Sequence, residues 1–254
     1  MPLTDRGWTI TPEELRSWII RESDDLLVID KPGLVVCHPS KHGPWSSLIG
    51  ACREYLGIGR LHMPSRLDRE TSGVVVFAKN SAAASRLQKA VQHRQVRKTY
   101  YAVLTGILTE RREVDRPLSR DTDAEFSSTQ RVVDEGGSPA VTIFEPIAWG
   151  DGYTLARVLP QTGRTHQIRV HAAWLGHHIA GDKLYGADPG LMLEFVKEGF
   201  TARLAAALPI RRHALHASEL AFELDGSEEI FQAPLARDIV AFLKNHNFRM
   251  DGLE

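Results

Sequence analysis

Apolar and polar positions change rhythm several times along this chain. Thr11-Pro12-Glu13-Glu14 ahead of Leu15, Trp18 and Ile19 predicts a helix that starts with a cap followed by proline, within a short arm over residues 1–23. Residues 26–29 predict a strand. Lys31-Pro32-Gly33-Leu34 then reads as a turn with Pro and Gly at the type II central positions, and residues 34–36 as the returning strand of a plain hairpin. The unbroken apolar run at 74–78 is the pattern of a buried strand. Asn80-Ser81 caps a helix over about 82–95. On it Ala84, Leu87 and Val91 share one arc, and Arg86, Lys89, His93 and Arg97 share the opposite one. Residues 98–104 alternate as a strand ended by Gly106, with Lys98, Tyr100 and Ala102 on one face.

Residues 110–140 are polar throughout, with a Gly136-Gly137 turn, and predict exposed hairpins or loops. Strand character returns at 141–144 and 153–159, separated by a turn at 149–152. Thr165 as N-cap and Gly176 just past the end bracket a helix of about three turns. His166, Arg169 and Ala173 lie on one side of it, while Ile168, Val170, Ala172, Trp174 and Leu175 cover most of the rest. This helix is therefore largely buried, and it carries Arg169 inside. A helical connection over 187–212, a strand over 215–224 with Leu220, Phe222 and Leu224 on one face, and an Asp225-Gly226 turn follow. A short partner strand comes next, and Pro234 opens a last helix with Leu235, Ile239 and Phe242 packed inward. No repeat, low-complexity tract or linker interrupts the chain, so residues 1–254 read as a single domain.

Composition adds little except through its distribution. At 254 residues the chain is long enough to bury a substantial core. Its 31 basic and 32 acidic residues give a net charge of -1, which does not announce a nucleic-acid partner. Residues 86–98, however, carry Arg86, Lys89, Arg94, Arg97 and Lys98 with no acid, whereas 219–229 hold five acids. One basic face is compatible with a neutral total. Two cysteines, no basic-then-apolar leader and no run near the ~20 apolar residues of a membrane span make the cytoplasm the expected location. Cys37-His38 and His42 lack the second ligand pair of a zinc site, and His166 and His171 project about 140° apart on a helix; no metal is expected.

Asp68, in Arg66-Leu67-Asp68-Arg69, sits on a loop that feeds the apolar run at 74–78. Such a loop exposes a side chain while the strand fixes its root, which suits a catalytic group. A solvated turn with local ion pairing would look the same. Arg169 is the second informative residue. A guanidinium inside an apolar helix keeps its charge and needs a carboxylate or other anion in bidentate geometry. Asp68 is the candidate, with a structural Asp or backbone carbonyls as the alternative.

Arg66-Leu-Asp-Arg-Glu-Thr-Ser-Gly73 resembles the catalytic motif of the RluA-type pseudouridine synthases, which isomerise uridine to pseudouridine in RNA. Ser65 stands where that family usually has His. Residues 24–39 resemble the family's first motif, Lys98-x-Tyr100-x-Ala102 its second, and Thr162-Gly-Arg-Thr-His-Gln-Ile-Arg-Val-His171 its third; Ile179-Ala-Gly-Asp-Lys-Leu-Tyr-Gly186 continues the likeness. The resemblance implies one α/β (α+β) domain, on a mixed, largely antiparallel curved sheet flanked by helices, with a central RNA cleft; some members add an RNA-binding module at the N-terminal end, for which the arm over residues 1–23 is too short, so no separate module is expected. It also implies Asp68 as the catalytic carboxylate, Tyr100 stacked on the flipped uracil, and Arg169 paired with Asp68. Arg66 would hold a phosphate or fill the space left by the base. Arg86, Lys89, Arg97, Lys98, Arg164 and His166 are the further RNA contacts expected, on ribosomal or transfer RNA.

The chemistry so implied breaks the uracil N1–C1′ bond, turns the base and joins C5 to C1′. It involves no redox change and no net hydrolysis, so no cofactor is expected, and a monomer suffices. Asp68 could attack C1′, attack C6, or take the 2′ proton. A non-catalytic RNA-binding protein on the same fold would lose Asp68 or Tyr100, and both are present. A hydrolase of N-glycosidic bonds would want a second carboxylate to activate water, for which the loop offers only Glu70.

Overall fold

The structure, a computed structural model, describes residues 8–38, 43–93, 95–188, 190–224 and 227–249. In chain order these form α1 (Pro12–Ser17), β1 (Ile19–Glu22), β2 (Leu26–Lys31), α2 (Leu48–Leu56), β3 (Ser72–Ala78), α3 (Ser81–Gln92) and β4 (Val96–Thr105). There follow β5 (Arg112–Asp115), β6 (Leu118–Arg120), β7 (Gln130–Val132), β8 (Val141–Gly150), β9 (Tyr153–Pro160) and α4 (Gln167–Trp174). The chain closes with α5 (Gly190–Glu198), α6 (Ala202–Ala207), β10 (Leu215–Leu224), β11 (Ser227–Gln232) and α7 (Arg237–Asn245). The class is mixed α/β, with largely antiparallel strands and flanking helices. Two compact units divide the chain, Met1–Lys98 with His216–Ala236, and Thr99–Leu215 with Arg237–Glu254.

In the first unit the strand order is β1-β2-β3-β10, with β11 on β10. Every residue of β3 is buried, because its alternate side chains serve two cores. Val74, Val76 and Ala78 join Leu87 and Ala90 of α3 and Phe222 of β10. Val75 and Phe77 face Leu15 of α1 and Leu48, Ala51 and Cys52 of α2. This is why the run reads as continuously apolar rather than alternating. The cap predicted for α1 is present, as a Thr11–Glu14 capping box.

Several local expectations are corrected here. Residues 34–36 form no returning strand; β2 pairs instead with β1 and β3. The carbonyls of Val36 and Cys37 accept from the first amides of α2, Leu48 and Ile49, and so satisfy donors a helix start leaves unpaired. The left-handed residue of the turn is Leu34, at φ 74°, one place beyond the Gly33 a type II turn would use. On α3 the packed residues are Ala83, Leu87 and Ala90, and Val91 is 40% exposed. Pattern reading named neither β1 nor α2, although Ser47 and Gly57 cap α2 in the ordinary way.

In the second unit the order is β4-β9-β8-β5, all antiparallel, with β6-β7 as a separate hairpin. Helix α4 is buried along most of its length, as its sequence requires, but it is shorter than predicted. It starts at Gln167, with His166 at its N-cap in the left-handed conformation (φ 54°) and no side-chain cap, so Thr165 is not the cap. Trp174, at the other end, is 48% exposed. Helix α7 begins at Arg237 rather than Pro234, and buries Ile239, Phe242 and Leu243 while Leu235 is half-buried. The Asp225-Gly226 turn, the side chain of Leu224, Arg94 and His42 lie outside what the structure describes.

Candidate active site

Asp68 is half-buried on the loop that enters β3. Its backbone carbonyl accepts from Thr71 N at 3.2 Å, which tightens the loop into a turn. A residue missed by the pattern holds that turn in place. Lys31 is fully buried, and its ammonium donates to Pro32 O (3.0 Å), Val35 O (2.9 Å) and Arg69 O (3.1 Å). An ammonium has three donors, and here they sew the 32–35 turn to the Asp68 loop. Arg69 Nε adds a weaker bond to Leu34 O at 3.4 Å.

The root of the loop is equally fixed. His216 Nε2 lies 3.4 Å from Ala233 O, an acceptor, so Nε2 carries the proton and Nδ1 accepts from Ser72 Oγ at 3.0 Å. Beside them Gly73 adopts φ 109°, and a Cβ there would lie 2.1 Å from Ala217 O. Glycine is therefore what lets β3 run parallel to β10 at Ser72 and Gly73. Sequence reading saw the Ser-Gly pair but had no means of locating β10 against it.

Arg66 projects from the same loop, exposed, and donates through Nη1 to His38 Nε2 at 2.5 Å. Only the neutral ring can accept, and burial, with Arg66 second, lowers the His38 pKa. Helix α3 turns out differently from the acid-free stripe its sequence suggests. Arg86 pairs with Asp25 and Arg97, just beyond it, with Glu228. Those acids come from outside the segment and were invisible to local reading. Lys89 and His93 are exposed. Lys98 is part-buried, and burial lowers its pKa.

The second unit holds the other predicted residues. Tyr100, part-exposed, sits on β4 opposite Val158 of β9. Gln167, buried at the first position of α4, organises the preceding loop. Its Oε1 accepts from Thr162 Oγ1 (2.8 Å) and Arg164 N (3.0 Å), and its Nε2 donates to Val141 O and Thr142 Oγ1 (both 2.9 Å). Arg164 is exposed, with Nε on Pro139 O at 3.0 Å. His166 Nδ1 meets Tyr185 Oη at 2.8 Å.

Arg169 finds a bidentate carboxylate, as its burial demands, in Asp182, a structural Asp of the kind the sequence left open beside Asp68. Nε donates to Oδ2 at 2.7 Å and Nη2 to Oδ1 at 2.9 Å, with both side chains nearly or fully buried. Oδ1 also accepts from Leu184 N (3.0 Å) and Tyr185 N (3.1 Å). Burial by itself would raise the Asp182 pKa, yet the Arg169 charge and its hydrogen bonds outweigh burial and hold the carboxyl below its usual range. Close by, burial, reinforced by the Arg169 charge, holds His213 well below the ordinary imidazole value. Among the described residues no cluster of three His, Cys, Asp or Glu side chains could hold a metal ion, and no helix is long and apolar enough to cross a membrane.

Residues 25–174 match the family model described as RNA pseudouridylate synthase, and the chain belongs to that family. It is 34% identical over 239 residues to ribosomal large subunit pseudouridine synthase D of Haemophilus ducreyi, covering 92% of this chain and 71% of the relative. The corresponding protein of Vibrio vulnificus is 36% identical over 87% of this chain and 68% of its own. The solved structure of human RNA pseudouridylate synthase domain containing 1 superposes with a TM-score of 0.68 at 27% identity, covering 88% of this chain and 86% of that one. The protein is thus a pseudouridine synthase, an isomerase whose substrate is RNA.

Proposed function

We propose that this enzyme isomerises a specific uridine of ribosomal RNA, and that Asp68 is its essential carboxylate. The observation that carries the assignment of Asp68 is the way its loop is built: half-buried, tied through Arg69 O to the Lys31 ammonium and rooted in a wholly buried strand. A side chain so held is pre-positioned for bond making at the ribose. The relatives named for the large ribosomal subunit favour ribosomal over transfer RNA.

In this reading the target uridine leaves the stack, since its C1′ and C5 are out of reach within it, at a cost of a few kcal/mol offset by phosphate and base contacts. Tyr100 stacks on the uracil and takes the C5 proton after the new bond forms. Arg169, its Nε and Nη2 held by Asp182, orients the Asp68 carboxylate. Arg66 takes a phosphate or the place of the flipped base. Arg164, His166, Lys98 and Lys89 add contacts to the RNA. The reaction needs neither a metal nor a cofactor, and a cytoplasmic monomer can carry it out.

The test is tritium release from ribosomal RNA labelled at uridine C5. Asp68→Asn abolishes release, at least a thousandfold, with RNA affinity within about threefold and an unchanged thermal midpoint; residual turnover within tenfold of the parent refutes the assignment. Mapping pseudouridines in ribosomal and transfer RNA from cells lacking the gene identifies the substrate. A lost site in transfer RNA alone would overturn the ribosomal choice.

A further inference from the structure

Resting on that reading of Arg169, we propose that Tyr185 is a positioning residue for the isomerisation, acting through the face of its ring on the Arg169 guanidinium. Four observations converge on it. The Arg169 guanidinium carbon lies 5.0 Å from the centre of the Tyr185 ring, inside the range in which a cation is attracted to an aromatic face. Asp182 takes the Nε and Nη2 edge of the same group. Tyr185 N donates to Asp182 Oδ1 at 3.1 Å, so the backbone that carries the ring also fixes the carboxylate. The Tyr185 hydroxyl is anchored at its far end by Gln130 N (2.9 Å) and His166 Nδ1 (2.8 Å).

The consequence is geometric. A bidentate carboxylate fixes one edge of a guanidinium but leaves its plane free to rock about that edge. A ring against its face removes the rocking. Asp182 and Tyr185 together therefore determine where the Nη1 end of Arg169 points. The ring is further held at its far end, where its hydroxyl is bonded to the β7 backbone and to His166, the N-cap residue of α4. His166 in turn holds a left-handed φ of 54°, a conformation that costs a non-glycine residue free energy and that the Tyr185 bond helps to maintain.

The test separates ring from hydroxyl. Tyr185→Phe keeps the ring face and loses both hydroxyl bonds, whereas Tyr185→Leu loses the face. Single-turnover rates and KM are measured on ribosomal RNA, with thermal melts confirming folding. The proposal expects kcat of the Phe variant, whose ring keeps its face but loses its anchor, to fall about threefold, and kcat of the Leu variant to fall about thirtyfold or more, each with KM within twofold. Equal kcat for the two variants overturns it, and so does a loss expressed in KM alone, which would make Tyr185 an RNA contact. Should the Leu variant not fold, Tyr185→Met refills the volume without the aromatic face and is judged by the same criteria. The Asp68→Asn assay is independent: an active Asp68→Asn enzyme removes the reading on which the role of Arg169 rests. An inactive one combined with equal Phe and Leu variants removes only the role of Tyr185.

Discussion

A guanidinium buried in an apolar helix must bring a carboxylate in with it, and the choice of partner decides what its removal costs. With Arg169 bonded to Asp182, Arg169→Met strands a buried carboxylate and is expected to lower stability by about 3–5 kcal/mol, read as a shift in the urea midpoint. The neighbouring titratable groups set the pH dependence. The unfolded chain takes up the Asp182 proton near pH 4, while the folded protein holds it off to lower pH, so this pair stabilises fully above about pH 4 and is lost as the pH falls further. His213 acts earlier. The unfolded imidazole protonates near pH 6.5, but the folded one stays neutral well below that. Stability therefore begins to fall as the pH drops through about 6.5. The decline in thermal midpoint between pH 7 and 5 is expected to be smaller in His213→Gln than in the parent.

Among the elements, β3 carries the greatest demands, and the sequence showed most of them. Its apolar run, with Ser72-Gly73 ahead of it, marked a buried strand behind a reactive loop. What could not be read was which strand lies beside Gly73, since β10 is more than 140 residues away along the chain. Gly73→Ala introduces a Cβ against Ala217 O at a φ of 109°, and is expected to cost about 3 kcal/mol and much of the activity. Equilibrium unfolding checks the first, tritium release the second. Helix α4 shows the opposite failure. Its apolar content was clear, yet Thr165 does not cap it, because the Gln167 side chain binds Thr162 and Arg164 N and holds the entry loop itself.

For the molecule as a whole, a net charge of -1 means that RNA affinity depends on which cations remain available to phosphate. Arg86 and Arg97 already face Asp25 and Glu228, so a phosphate contact there must compete with an existing pair. Lys89 is exposed on the same helix, and among the described residues it forms no ion pair. Lys89→Ala is expected to reduce the slope of log affinity against log salt by about 1, and Arg86→Ala by clearly less. Filter binding between 50 and 200 mM salt distinguishes them. A larger effect of Arg86 would mean that RNA displaces Asp25.

Local order was written in the residues: the Asp68 loop and its strand, the strand character of β4, the buried character of α4 and the motifs that placed the chain in its family. These depend on neighbours a few positions apart, which a linear pattern records. The partners of charge were decided only on folding. Asp182 fills the Nε and Nη2 edge of Arg169, Lys31 goes wholly inside to hold three carbonyls, and Asp25 and Glu228 meet the basic helix. Each of these satisfies a charge or a polar group that burial would otherwise leave costly, and the group that does so is whichever one the tertiary packing brings near.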